Sequence, residues 1–289
     1  MKSSDLESWL RSPNRPVVVM GILNITPDSF SDGGRHLDPA SAVAAAEEMA
    51  RHGAALIDLG AESTRPGATP VPAEEQIRRL APVLDLLSSR LPNVVLSVDT
   101  TDAKVAEFAL RHGVRFVNDI SAGRHDPRMF PLIAEYQAAV CLMHMQGTPL
   151  TMQVNPVYGD VVAEVKEFLR TRVIEAEKSG IPPHRIVIDP GIGFGKTLEH
   201  NLALLKHLGE FRALGRPILI GTSRKGFIGR ITGVADPVRR EYGTAATVAW
   251  SVTNGASIVR VHDVEPMMQV IKVTLALLRG QFEPYDRAF

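Results

Sequence analysis

Eight short runs of apolar residues recur along the chain, and segments of amphipathic helical character separate most of them. Each run is rich in Val, Ile or Leu at both odd and even positions, which is typical of parallel strands buried on two faces. Eight such strands alternating with helices predict an α/β fold, the TIM (β/α)8 barrel. The runs cover residues 17–24, 55–60, 94–100, 116–121, 139–145, 186–191, 217–223 and 258–264.

The segments between these runs predict the helices. Glu74 and Glu75 stand near the start of one segment, where acidic side chains interact favourably with the helix dipole, and Gly180 follows the end of another. We expect helices at residues 39–52, 72–90, 101–111, 158–179, 238–254 and 265–278.

The length of the chain fits a single domain. One barrel of about 250 residues with short extensions accounts for the chain without a second core. We therefore expect an N-terminal extension at residues 1–16, the barrel domain at 17–280 and a C-terminal tail at 281–289. The sequence assigns no role to either end.

The charge balance argues against several classes of partner. The chain has 32 basic residues (Lys plus Arg) and 32 acidic residues (Asp plus Glu). It therefore lacks the excess of basic residues that would predict binding to nucleic acid or to an anionic membrane. Cys141 is the single cysteine and lies in an apolar run, where a core role and a reducing cytoplasm are expected. No apolar stretch approaches the roughly 18 residues of a membrane span, and the first 16 residues lack the core of a secretory signal.

Polar residues stand at or near the end of nearly every predicted strand. In a TIM barrel the strands end at one face, and the loops that follow them form the active site. We therefore expect one mouth to gather Asn24, Glu62, Asp99, Asn118, His144, Asp189, Lys225 and His262.

Two loops at this face are long and rich in Gly and Pro. They follow the first and second strands and cover residues 24–34 and 61–68. Such loops are candidates for lids that exclude water, and Phe30 and Arg65 would have little other reason to lie there. The alternative is ordinary mobile surface.

Eight segments of the chain resemble motifs of the bacterial dihydropteroate synthase family. The two longest are residues 21–34 (GILNITPDSFSDGG) and 58–67 (DLGAESTRPG). The others are 98–100 (VDT), 118–121 (NDIS), 143–147 (MHMQG), 189–196 (DPGIGFGK), 223–225 (SRK) and 260–263 (RVHD). The resemblance implies a folate-pathway transferase of the pterin-binding group, which joins 6-hydroxymethyl-7,8-dihydropterin diphosphate to 4-aminobenzoate and releases diphosphate, usually with Mg²⁺.

A pterin ring requires a particular set of partners. A buried carboxylate can accept from the 2-amino group and the adjacent ring N–H together, and Asp189 is the candidate for this contact. The resemblance implies that Asn118 lies at the same edge, that Asp99 faces the other ring and that Lys225 donates to the carbonyl and imine side. Met143 and Phe194 would form apolar walls, although residues of these two types are more often part of a core.

The resemblance and the chemistry also predict an anion site. Barrels often hold phosphate in the loops after strands 7 and 8, and Arg260 and His262 share one face of strand 8. Arg offers a planar fork for phosphate oxygens and His a ring N–H, so we expect these two residues to bind the diphosphate, together with Asn24 and Thr64. The alternative for a basic pair is a solvated salt bridge.

Magnesium needs few protein ligands. It keeps several waters and takes one or two protein oxygens besides phosphate, so no dense motif is expected. The resemblance gives Asn24 as the direct ligand, with Asp32 reaching the ion through water. His144 has no second His at ligand spacing and is interpreted as a core or rim residue.

The 4-aminobenzoate slot would lie between the two long loops. We expect it to be lined by Phe30, Thr64, Pro66 and Ser223. Asp32 and Arg65, which could pair when the loops close, and Lys225 are the residues expected to act in catalysis.

Two other readings of the motifs are weaker. Residues 191–197 resemble a P-loop, but Pro190 occupies the position of its first glycine, and the segment does not fit the dinucleotide fingerprint either. Rival functions are a pterin-dependent methyltransferase, which would not need the diphosphate site, a non-catalytic pterin-binding paralogue, and a barrel enzyme acting on sugar phosphates. Apolar residues such as Trp250 and Leu277 in the last two helices would suit either a homodimer interface or packing on the barrel.

Overall fold

The fold is a closed barrel of eight parallel strands in the order β1 to β8, as the sequence predicts. The computed structural model describes residues 1–26 and 38–281. The strands are β1 (Val18–Asn24), β2 (Leu56–Gly60), β3 (Val95–Asp99), β4 (Phe116–Asp119), β5 (Ala139–Met143), β6 (Ile186–Asp189), β7 (Ile218–Ile220) and β8 (Ala256–Val261).

Ten α-helices are found in the described part of the chain. They are α1 (Ser3–Arg11), α2 (Pro39–Arg51), α3 (Ala73–Arg90), α4 (Ala103–Arg111), α5 (Met129–Glu135), α6 (Val161–Lys178), α7 (Leu198–Lys206), α8 (Gly226–Thr232), α9 (Glu241–Thr253) and α10 (Val264–Arg279).

The helices agree with the sequence prediction in place and differ from it at their ends. Helix α6 begins at Val161 rather than at residue 158, because Asp160 caps its first turn by accepting from two backbone N–H groups. Helix α9 begins after a 3₁₀ turn at Pro237–Arg239, which overlaps the start of the range expected for one helix. Helices α1, α5, α7 and α8 were not predicted; the last three have only 7 to 9 residues, too few for a clear periodic pattern.

The pairing of the strands brings their carboxyl ends to one rim. Asn24 pairs with Gly60, Gly60 with Asp99, and Asp99 with Asn118, so three neighbouring interfaces are in register at their ends. Met143 pairs with Asp189 in the same way. The rim expected from the sequence therefore exists.

Side-chain alternation divides the core into two layers. In β2, Ile57 and Leu59 point outward and pack with the helices, whereas Leu56 points into the barrel. The same parity places Asp58 inside. Cys141 also lies in the barrel interior, where burial raises the pKa of its thiol, so it behaves as a core residue.

Helix α1 closes the end of the barrel opposite the rim. Its Trp9 is only 1% exposed and donates from Nε1 to the Pro16 carbonyl at 2.8 Å. Leu6 and Leu10 share the same face and pack with the interior residues Met20, Leu56, Val95 and Phe116. The first 16 residues thus have a structural role that the sequence analysis did not assign.

In the described ranges, no helix combines the length and the apolar character needed to cross a bilayer.

Candidate active site

Asp58 is the centre of a buried polar network inside the barrel. It has no exposed surface, and its carboxylate accepts from Arg260 Nε at 2.7 Å, from Asn118 Nδ2 at 2.9 Å and from the Ser97 hydroxyl. The Arg260 guanidinium also reaches Asp99, with 2.8 Å between Nη2 and Oδ2. Strands β2, β3, β4 and β8 are therefore joined by one network.

Asp99 is the least satisfied member of this network. Burial raises the pKa of its carboxyl to about 7; Arg260 opposes the shift and the charge of Asp58 adds to it. Its Oδ1 is buried and has no hydrogen-bond partner within the described residues. A buried acceptor of this kind needs a donor, since an unpaired polar group costs about 1–3 kcal/mol.

Asp189 ends β6 on the neighbouring side of the rim. Its Oδ1 accepts from the Gly191 backbone N–H at 2.7 Å, and burial raises the pKa of its carboxyl against this hydrogen bond. Gly191 has a φ of 72°, and a Cβ there would lie 1.9 Å from the His144 carbonyl oxygen, so only glycine allows this approach.

Lys225 lies beside the same loop. Its Nζ is 4.1 Å from the Phe194 ring centroid and donates to the Ile192 carbonyl. Burial lowers the pKa of Lys225 to about 8, and Asp189 opposes this shift. The Phe194 ring packs against a buried cluster formed by Ile120, Met143, Met145 and Met152.

A second polar group lies at the ends of β7 and β8. The Ser223 hydroxyl is 2.9 Å from His262 Nδ1 and accepts from the His262 backbone N–H at 3.2 Å. Burial lowers the pKa of His262 to about 3, and the charges of Arg224, Arg260 and Arg65 lower it further. His262 is therefore neutral near pH 7 and lies in a strongly positive field.

Arg224 precedes Lys225 and follows Ser223, and its own contacts fix the backbone between them. Its φ is 60°, in the left-handed region, and its guanidinium pairs with Asp263 at 3.0 Å and 2.5 Å. Its carbonyl accepts from Arg240 at 2.8 Å. The ion pair and the backbone contact hold Ser223 and Lys225 on either side of a strained residue.

The second long loop lies near His262, since the charge of Arg65 acts on that side chain. Thr64 is half-buried, whereas Arg65 and Pro66 are exposed. Glu62 turns to the loop itself and accepts from the Val71 backbone N–H at 2.7 Å. Of the first loop, Phe30 and Asp32 lie outside the described residues. Asn24 is described at the end of β1, where its Oδ1 lies over Gly60.

His144 has a partner that the sequence did not indicate. Lys196 Nζ lies 2.9 Å from its Nδ1, and both side chains are buried. Lys196 therefore faces the protein, unlike a P-loop lysine, which reaches nucleotide phosphates. No group of three or more His, Cys, Asp or Glu residues suited to a metal occurs in the described part of the chain.

The structure thus brings together Asp99, Asn118, Asp189, Lys225 and Arg260, with Met143 and Phe194 as apolar neighbours. Asp58 was missed as a site residue, although its interior parity with Leu56 in the second apolar run is a signal that could have found it. The arrangement can bind a flat heterocycle with both donor and acceptor groups, beside a positively charged rim suited to an anion.

Comparison with known proteins supports this assignment. The pterin binding enzyme model matches residues 20–262. A dihydropteroate synthase from Synechocystis is 46% identical over 261 residues, which cover 90% of each chain. The Xanthomonas albilineans dihydropteroate synthase with 4-aminobenzoic acid is similar with a TM-score of 0.86 at 44% identity, over 91% of this chain and 93% of that one. The Yersinia pestis enzyme, solved as a sulfonamide drug complex, gives 0.86 at 39% identity over 92% and 95%. The chain belongs to the dihydropteroate synthase family of pterin-binding enzymes.

Proposed function

We propose that the protein condenses 6-hydroxymethyl-7,8-dihydropterin diphosphate with 4-aminobenzoate to give 7,8-dihydropteroate and diphosphate. The observation that carries the proposal is one rim on which buried carboxylates adjoin a cluster of positive charge. Asp99 and Asp189 supply acceptors for a pterin, and the positive field at His262 suits a diphosphate. The Synechocystis and Xanthomonas relatives are both named dihydropteroate synthase, the enzyme that catalyses this reaction.

The pterin would lie between Asp189 and the network of Asp58. Asp189 accepts from the 2-amino group and the ring N–H with the oxygen not held by Gly191, and Asn118 contacts the same edge. The unpaired Oδ1 of Asp99 accepts from the second ring. Lys225 donates to the carbonyl and imine side, while Met143 and Phe194 contact the faces of the ring.

The diphosphate would lie on the side of β8. Arg260, His262, Thr64 and Asn24 bind its oxygens in this proposal. Arg260 is already paired with Asp58 and Asp99, so its guanidinium is held in place before the substrate binds. His262 donates from Nε2, because its Nδ1 faces the Ser223 hydroxyl.

The 4-aminobenzoate slot would be formed by Phe30, Thr64, Pro66 and Ser223. Asp32 and Arg65 would close over it when the first two loops fold together. Because the Yersinia relative was solved with a sulfonamide drug, we expect sulfonamides to compete with 4-aminobenzoate for this slot.

Magnesium fits the residues present. Asn24 offers a single neutral oxygen at the rim, which suits an ion that keeps most of its waters and binds substrate phosphate. Asn24 would be the direct ligand and Asp32 a contact through water. When bound, Mg²⁺ would neutralise charge on the departing diphosphate.

The reaction is a substitution at the exocyclic methylene of the pterin. The bond from carbon to the diphosphate oxygen breaks first, with its electron pair leaving on the diphosphate, and the arylamine nitrogen then forms the new bond and loses a proton to solvent. Lys225, Arg260 and His262 stabilise the developing negative charge. The proposal includes no protein nucleophile, and it names no strong general base because the arylamine is already a neutral nucleophile.

A diphosphate-release assay with both substrates tests the function. Release that depends on 4-aminobenzoate and yields 7,8-dihydropteroate supports the proposal; methyl transfer from a methylated pterin, or pterin binding without turnover, would support a rival. A single-turnover experiment without 4-aminobenzoate tests the order of steps, since a substrate that stays intact indefinitely contradicts early departure.

The loops are tested by Arg65→Ala and Asp32→Ala. Both variants should slow turnover while pterin affinity stays within about twofold, because neither side chain contacts the ring in this proposal. Unchanged turnover would remove them from the mechanism.

We further propose a cytoplasmic homodimer. Helices α9 and α10 pack side by side and leave large apolar side chains exposed, at 49% for Trp250, 61% for Val273 and 78% for Leu277. A second copy of this chain would cover this surface.

A further inference from the structure

The loop after β6 has its backbone carbonyls taken up by side chains from several elements. Residues 192–195 are contacted in turn by Lys225, Gln153, Lys196 and Tyr158. The Gln153 amide lies 2.9 Å from the Gly193 carbonyl, and the Tyr158 hydroxyl lies 2.8 Å from the Gly195 carbonyl. The loop is therefore fixed by its surroundings rather than by regular secondary structure.

Lys196 makes the most demanding of these contacts. Its side chain is 3% exposed, and Nζ lies 2.9 Å from the Phe194 carbonyl, 2.9 Å from His144 Nδ1 and 3.3 Å from the His144 carbonyl. An ammonium group has three donors, and these three acceptors use all of them. Burial lowers the pKa of this amine, so the fold bears a cost for keeping it here.

His144 is suited to the role of acceptor. Its ring packs edge-on against Phe168 at 4.8 Å between centroids, which fixes its orientation. Burial and the charge of Lys196 lower the pKa of His144 to about 2, so the ring is neutral, with its proton on Nε2 and Nδ1 free to accept. Its carbonyl oxygen is also the atom that a Cβ at Gly191 would meet first.

The pair formed by Lys196 and His144 therefore ties the end of β5 to the loop that carries Phe194. Lys196 is buried and donates to protein acceptors, and the proposed reaction gives it no task. A methionine would fill a similar volume without a buried charge, but it would leave the Phe194 carbonyl and His144 Nδ1 without this donor. The presence of a lysine here indicates that the Phe194 loop must be held in a fixed position relative to the end of β5.

We propose that Lys196, acting through His144 and the Phe194 loop, is a positioning residue that sets the affinity for the pterin substrate. The inference rests on the proposed function, in which the Phe194 ring is one wall of the pterin site. Without the amine, the Phe194 carbonyl and His144 lose their shared donor and the ring shifts relative to Lys225, which now lies 4.1 Å from its centroid.

The test compares steady-state kinetics of Lys196→Met, Phe194→Leu and the double variant, with Lys206→Met as a control at an exposed position at the end of α7. Lys196→Met should raise KM for the pterin diphosphate about tenfold and leave KM for 4-aminobenzoate within about twofold. The control should change neither value. Thermal unfolding corrects each rate for the folded fraction, because a merely structural role would lower the active fraction without changing either KM.

The double variant separates positioning from other effects. If Lys196 acts through Phe194, the double variant should lose no more pterin affinity than the more affected single variant. Additive losses, or an unchanged pterin KM in folded Lys196→Met, would overturn the inference alone. An unchanged pterin KM in Phe194→Leu would overturn the proposed wall and this inference with it.

A second variant covers the case in which Lys196→Met does not fold. Lys196→Gln keeps a polar group but is too short to reach all three acceptors, so its pterin KM should be raised by a smaller factor. A folded Lys196→Gln with wild-type kinetics for both substrates would also overturn the inference.

Discussion

Asp58→Asn is the sharpest perturbation that the structure suggests. The carboxylate has no exposed surface and accepts from the side chains of Ser97, Asn118 and Arg260. The substitution keeps the shape of the side chain but removes its charge and replaces one acceptor oxygen with a donor group. That NH2 group must then face Arg260, Asn118 or Ser97.

The magnitude follows from what is left buried. Breaking a buried ion pair from one side costs about 3–5 kcal/mol. Arg260 keeps Asp99 as a partner, so we expect about 3 kcal/mol, the low end of that range. With an unfolding entropy of about 2 cal per mol per K per residue, this lowers Tm by about 5 °C.

Urea and thermal unfolding measure the loss, and Asp85→Asn serves as the control, because Asp85 is exposed on α3. The pH profile of kcat/KM gives an independent readout. The charge of Asp58 raises the pKa of Asp99, so its removal should move the acid limb to lower pH. A variant that melts within about 1 °C of the wild type, with an unshifted profile, would refute the network.

Three further predictions follow from the described geometry. First, kcat/KM for the pterin diphosphate should fall below about pH 7, as the Asp99 carboxyl takes up a proton, and above about pH 8, as Lys225 loses one; Lys225→Met should abolish the alkaline limb in a pH–rate measurement. Second, Trp9→Ala should cost about 3–5 kcal/mol in urea unfolding while kcat per folded molecule stays unchanged, because α1 lies at the end of the barrel opposite the rim; a change in kcat would contradict this separation. Third, Leu277→Glu should give a monomer in light scattering, whereas Val154→Glu, at a comparably exposed site on another surface, should not; a dimeric Leu277→Glu would exclude the proposed interface.

The barrel could be predicted from the sequence because each strand carries a local signal. Strands buried on two faces give apolar runs that interrupt the helical periodicity, and eight repetitions leave few alternative topologies. The position of polar residues such as Asp99 and Asp189 at strand ends then places them on one rim. For these residues, the position at the end of a strand is enough to predict the location on the rim.

The contacts within the site could not be predicted in this way. Strand order shows that Arg260 and Asp99 lie on the same rim, but not that the guanidinium spans the interior to Asp58, which depends on side-chain reach. Helix α1 was missed because its few apolar residues, Leu6, Trp9 and Leu10, have a clear meaning only once the open end of a barrel is present to receive them. Lys196 lies in the segment that resembles a P-loop, and nothing in its sequence neighbourhood indicates His144 as a partner.

The buried charges of the rim explain why the site is both costly and specific. The carboxylates of Asp58, Asp99 and Asp189 share the interior with Arg260 and Lys225, and the buried amine of Lys196 also opposes the rise in the pKa of Asp189. Asp99 is the member left unsatisfied: its carboxyl has a pKa of about 7, and its Oδ1 has no partner among the described side chains. A ligand that brings N–H donors to this oxygen would relieve the cost, whereas one that brings an acceptor would add to it. The unpaired acceptor therefore selects for a ring edge with donors, which is what a reduced pterin presents.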